Sequence, residues 1–262
     1  MNHIRIVLTG LAVSICVAVL SGCPPRPPRA GDTRTFEGIQ FQWCPAGTFQ
    51  MGSPEDEVGR DDDETQHTVT LTEGFWLSTF EVKQDQWLEF MESNPSSTEG
   101  DNLPVDNISW EDVQVFLVLL NAAKASAVFR LPTEAQWEYA YRAGTATRFY
   151  WGEDFNGTDI DAHAWFSDNS GFEIHPVGEK GSNAWGLYDM SGNVSEFCQD
   201  YYGEYPEEAV KDPEGPDTGE FRIVRGGGFF NDRISCRAAV RERSQELGGD
   251  SGRGFRLLRI AD

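Results

Sequence analysis

Five cysteines carry the widest reactive repertoire in this chain: Cys16, Cys23, Cys44, Cys198 and Cys236. A thiolate can attack carbon, bind a soft metal or exchange with a disulfide. Cys16 lies in an apolar leader and Cys23 directly follows it, which leaves Cys44, Cys198 and Cys236 for the body of the protein. In an oxidising compartment an odd number of thiols predicts one disulfide and one buried free cysteine. Sequence alone does not give the pairing; Cys198 with Cys236 is the pair expected. Of the four histidines, His3 falls in the leader, and none of them shows the helical two-histidine spacing of a zinc peptidase. A phosphate loop and a nucleophile elbow are also absent from the sequence. The acidic run from Glu55 to Glu64 lacks the spaced ligands and pivot glycine of an EF-hand, so a solvated loop is expected there.

The leader has Arg5, an apolar run from Ile6 to Leu20, and Leu20-Ser21-Gly22 immediately before Cys23. That run is shorter than the ~20 apolar residues of a spanning helix, and it reads as an export signal over residues 1–22. Leu-Ser-Gly-Cys is similar to a bacterial lipobox, in which Cys23 takes the lipid and becomes the membrane anchor. The expected location is the bacterial cell envelope, facing the periplasm or the exterior. Residues 23–35 are rich in proline and arginine and are expected to form an extended tether. One domain is then expected over residues 36–262. Loss of Arg5 with the leader takes the formal charge from -22 to -23. Such a field repels phosphate backbones, which excludes nucleic acid as a natural partner.

Two helices are well signalled. Ser109 with Asp112 makes a capping box ahead of an apolar face of Val113, Phe116, Leu117 and Leu120. Thr133 with Gln136 repeats the device ahead of Trp137, Ala140 and Tyr141, and Arg130 is placed to pair with Glu134 or Glu138. A shorter helix is expected from about Gln84 to Glu92. Short strands are expected at FEGIQFQW, GTFQMGS, HTVTL, FRIVRG and GFRLLRI, and beyond Gly144 loops pinned by aromatic side chains should dominate.

Several motifs occur together and in one order: GTFQMGS, FEV, PVDNISWEDV, RLPTEAQWEYAYRAG, YWG, GLYDMSGNVSEF, RGGGF and GFR. In that combination the chain resembles the formylglycine-generating, or sulfatase-modifying factor, family over about Phe36 to Ile260. The resemblance implies an α+β fold related to C-type lectins, poor in regular structure and often stabilised by calcium. It also implies a calcium site made by the side chains of Asp189 and Glu196 and the main-chain carbonyls of Gly192 and Val194. Hard oxygen donors with one or two carboxylates suit that ion. At a second family site Trp165 stands where a side-chain ligand is expected and Asn169 where an aspartate would be, so no ion is expected there.

The family's oxidases convert a substrate cysteine into formylglycine with copper and oxygen, using two cysteines five residues apart after a Gly-Gly-Ser element. Counted forward from Gly226, those positions are Asn231 and Cys236; counted back from Arg237 and Gly254, the segment is shorter than the oxidase pattern and Cys236 coincides with neither cysteine, so the pair is incomplete either way. Gly228 replaces the serine, and Ser195 replaces a tryptophan that commonly precedes the glutamate. Copper is therefore not expected to bind, and Cys236 reads as a structural or disulfide cysteine.

Two functions remain. One is a membrane-anchored, non-catalytic binding or scaffolding module whose ligand surface includes Phe229, Phe230, Asn231, Asp232 and Arg233. The alternative is a periplasmic tailoring enzyme or oxidase that dispenses with the cysteine pair, with Glu196 or Asp232 as acid or base.

Overall fold

The computed structural model describes residues 26–123, 128–249 and 251–260, so the leader and the predicted lipidation site Cys23 lie outside the described residues. In chain order the first strands are β1 (Thr33–Phe36), β2 (Ile39–Cys44), β3 (Gly47–Met51), β4 (His67–Leu71) and β5 (Phe75–Ser78). Helices α1 (Gln84–Leu88) and α2 (Trp110–Ala123) follow, then β6 (Phe129–Arg130) and α3 (Glu134–Arg142). The second half contains a 3-10 turn at Ile160–Ala162 and strands β7 (Ser195–Tyr201), β8 (Val210–Lys211), β9 (Arg222–Arg225), β10 (Glu242–Ser244), β11 (Arg253–Gly254) and β12 (Leu258–Ile260). This is an α+β fold of short strands and few helices.

Three sheets organise the chain, with orders β1-β2-β5-β12-β6, β10-β9-β7-β11 and β3-β4-β8. The first opens with a hairpin whose two turn residues, Glu37 and Gly38, both have positive φ, as a tight turn matched to strand twist requires. Thr33 to Thr35 belong to that hairpin, paired with Gln42, Phe41 and Gln40. Ordered structure thus begins before Phe36, and the last part of the expected tether is a strand.

The capping boxes hold. At α2 the Asp112 carboxylate accepts from the Ser109 N–H and hydroxyl, at 2.9 and 2.6 Å. At α3 the Thr133 hydroxyl accepts from the Gln136 N–H, and the Gln136 side chain reaches back to the Thr133 N–H. The shorter helix stops at Leu88 and buries Trp87.

A fold built largely of loops buries carbonyls that no ladder satisfies, and each needs a donor. Arginine, with five N–H groups in a fixed fork, supplies several at once. Arg225, fully buried, donates to the carbonyls of Ala238, Ala239 and Val240 and to Glu138 Oε2 at 2.5 Å. Arg256, also fully buried, joins the carbonyls of Ser78 and Tyr188 to Glu196. Arg237 is clamped by Glu57 and Glu64 and donates to the Gly59 carbonyl.

Two sequence expectations change here. The acidic run is not wholly solvated: Glu64 is fully buried because it neutralises Arg237. Arg130 pairs with neither Glu134 nor Glu138. Those acids serve Arg241, Arg225 and Arg142, while Arg130 donates to the Leu131 carbonyl.

Candidate functional site

The site implied by the motifs falls where β9 ends in the Gly226–Gly228 turn and β7 begins. Gly227 has a φ of +65°, and a β-carbon on it would lie 2.9 Å from the Ser235 carbonyl oxygen. The turn therefore needs glycine for conformation and for space. Gly192 is similarly pressed against Trp165, and its N–H donates to the Gly226 carbonyl at 2.9 Å. These contacts bring the GLYDMSGNVSEF segment against the triple glycine.

The positions that would do oxidase chemistry are occupied otherwise. Asn231 folds back on its own turn: its Oδ1 accepts from the Gly228 N–H at 2.9 Å, and its N–H donates to the Gly228 carbonyl at 2.9 Å. Ser195 is fully buried, and both its N–H and its hydroxyl donate to the Gly252 carbonyl. A side chain at Gly228 would crowd the Asn193 carbonyl and the Ser195 N–H, each 3.3 Å from its β-carbon. Cys236 packs in an apolar cluster with Phe149, Ile160, Ala164 and Phe166. Burial pushes its thiol up, and Asp232 and Glu242 push it further in the same direction. A thiol so placed is a packing group, not a nucleophile.

The expected disulfide is not formed. Cys44, Cys198 and Cys236 are all free and buried. Cys198 lies on β7 in the large core, whereas Cys236 belongs to a separate cluster, so the fold holds the two side chains in different compartments.

The proposed ligand surface is partly interior. Phe229 packs against Ile174, Val194 and Leu103 and is only 9% exposed, which removes it from the surface. Phe230 meets it edge to face at 5.2 Å and remains 39% exposed. Asp232 and Arg233 are exposed and Asn231 is half-buried. The Asp232 carboxylate accepts from the N–H groups of Ile234 and Ser235, so it fastens a turn and is not poised as a general acid or base.

Asp189 and Glu196 do come together, along with a third acid that sequence reasoning missed. Glu81 is 1% exposed and accepts from the Val194 N–H at 3.0 Å and the Asn193 amide at 2.8 Å. It lies in the FEV motif, where an acid between Phe80 and Val82 was the available signal. Of the three, only Glu196 bonds to the Arg256 guanidinium; Glu81 and Asp189 lie within electrostatic reach of it. Burial pushes Asp189 up to about 6 and drives Glu81 well above its usual range, with Asp189 adding to the latter. Glu196 takes two hydrogen bonds at Oε2, from Trp137 at 2.7 Å and Arg256 at 2.6 Å, and one at Oε1 from Arg256. A carboxylate oxygen has two lone pairs, so Oε1 retains one for a further partner. A hard cation bound there would take the place of the protons that burial favours on Glu81 and Asp189, with Glu196 Oε1 as a remaining oxygen acceptor.

At the second family position the side chains bond within the protein. Asn169 Oδ1 accepts from the Phe166 N–H, and its amide donates to the Ala164 carbonyl. Trp165 stacks on His175 at 3.7 Å, with Lys180 over the tryptophan ring. Among the described residues no group of three or more His, Cys, Asp and Glu side chains converges on a single metal position. Nor is any described helix long and apolar enough to cross a membrane.

Comparison with known proteins matches residues 30–261 to the family described as sulfatase-modifying factor enzyme 1-like domain. The chain is 30% identical over 203 residues to a formylglycine-generating enzyme of Streptomyces coelicolor, covering 72% of this chain and 62% of that one. It therefore spans less than two thirds of that enzyme's length. It is 25% identical over 240 residues to the chaperone protein LppX of Paenibacillus barcinonensis, covering 73% and 81% of the two chains. The solved structure of PvdO from Pseudomonas aeruginosa superposes with a TM-score of 0.78 at 26% identity, over 90% of this chain and all of that one.

Proposed function

Because the chain belongs to the family of sulfatase-modifying factor enzyme 1-like domains, we propose that it is a member without the copper-dependent oxidase reaction. It acts as a binding or scaffolding module, held at the bacterial envelope by lipid on Cys23. One observation carries this reading: Asn231 closes a turn where the first thiol would stand, and Cys236 is sealed in an apolar cluster. Two thiolates are needed to grip Cu(I) and exchange with a substrate thiol. A relative named as a chaperone supports a role in holding other molecules. The exposed part of the candidate surface is Phe230, Asp232 and Arg233.

Calcium has a structural part in this reading. The carboxylates of Asp189 and Glu196, with the carbonyls of Gly192 and Val194, would hold it. A metal titration tests both halves. Calcium should raise the melting temperature of chelator-stripped protein by about 2–8 °C, and Asp189→Asn should remove that gain. Cu(I), competed against a chelating indicator, should not be retained. Tight stoichiometric Cu(I), or a melting temperature indifferent to calcium, would contradict the corresponding half.

A further inference from the structure

Helix α2 carries two apolar stripes where a surface helix needs one. Val113, Phe116, Leu117 and Leu120 face inward and are buried. Val115, Val118, Leu119 and Ala122 repeat the i, i+3, i+4, i+7 spacing on the outer face and are exposed, Val118 by 68% and Val115 by 50%. Beside that outer face runs a groove lined by Trp87, Phe90, Met91 and Pro95 and by Val115 and Leu119 of α2. Leu88, 49% exposed, adds to the apolar surface of α1. A second apolar stripe continuous with a groove marks an interaction surface more than a chance exposure.

The rim says what kind of partner fits. The charged residues that line the groove are Glu92 and Asp112, with no lysine or arginine among its lining. A second copy of this chain would set acid against acid across the contact, and an anionic bilayer would be repelled. The geometry points to a docking groove for an amphipathic helix of another polypeptide, its apolar stripe laid along Val115, Val118 and Leu119 and its flanking lysines and arginines facing the acidic rim. None of these residues belongs to the pocket around Asn231 and Cys236, so this inference stands or falls apart from the proposed function.

The test uses a roughly 14-residue helix of leucine and lysine, about four turns long, and a scrambled peptide of equal composition without the stripe. Binding to the purified protein is followed by calorimetry and by amide shifts at about 150 mM salt, where long-range attraction is screened. The patterned peptide should bind at least about tenfold tighter than the scramble, and the pair Val118→Asp, Leu119→Asp should weaken it by about tenfold. That variant adds negative charge, so unchanged or tighter binding would mean attraction by net charge alone and would overturn the proposal. Preference for neutral vesicles over the peptide, or a dimer dissolved by the same substitutions, would overturn it in favour of a membrane or a second copy. Val118→Ser with Leu119→Ser, which adds no charge, repeats the measurement should the aspartates disturb folding.

Discussion

Replacing Arg225 with methionine should destabilise the fold by about 3–5 kcal/mol, read as a lowered urea midpoint in tryptophan fluorescence. Arg225 is fully buried at the end of β9. It neutralises Glu138 at 2.5 Å, approaches Glu134 at 3.5 Å, and donates to three consecutive carbonyls from Ala238 to Val240. Methionine fills much of the volume but donates nothing, so the carbonyls lose their donor and Glu138 keeps a charge compensated only by Arg142 and the Gly52 N–H. The control is Arg26→Met. Its pair with Asp32 has side chains 54% and 32% exposed, and its loss should leave the urea midpoint nearly unchanged. If the two variants are equally stable, buried arginines are not what holds the loops.

Asp200→Asn should alter the pH dependence of stability with a defined sign. Asp200 is 4% exposed, and burial, reinforced by the nearby Glu134, pushes its carboxyl up to about 7 from a reference of 3.8. Its Oδ2 accepts from the Glu134 N–H at the first turn of α3. The folded chain therefore keeps this proton at pH values where the unfolded chain has released it. The linked stabilisation is full below the unfolded value of about 4 and is lost as pH rises through about 7. A shift of this size corresponds to at most about 4 kcal/mol. Asparagine keeps an acceptor for the Glu134 N–H and does not titrate. The variant should match or fall slightly below the parent near pH 4, exceed it by about 2–4 kcal/mol near pH 8, and remove this component of the slope between them. Parallel stability curves for the two proteins would refute the assignment.

These effects show where sequence reading succeeds. The two capping boxes were legible because their partners lie three residues apart, Ser109 with Asp112 and Thr133 with Gln136. The ion pairs that hold the loops were not, because Arg225 meets Glu138 87 residues away and Arg237 meets Glu64 across 173. Nothing local marks such partners, and the acidic run containing Glu64 therefore reads as solvated. The cysteines mislead for a related reason. Their number suggested a bridge, but burial in separate apolar clusters is decided by tertiary packing. In the candidate site the motif letters located the Gly226–Gly228 turn, Asp189 and Glu196. The inward turn of Phe229 emerged only from the folded arrangement, and Glu81, though inside the FEV motif, was joined to the other acids only there.

The reading of this chain as a family member without oxidase chemistry rests on the thiol that Asn231 replaces. The direct test incubates purified protein with copper, oxygen and a cysteine-containing sulfatase peptide, and follows the peptide by mass spectrometry for conversion of its thiol to an aldehyde. The account predicts that the cysteine survives unchanged, with parent and Cys236→Ser proteins alike. Copper-dependent aldehyde that disappears in Cys236→Ser would contradict it.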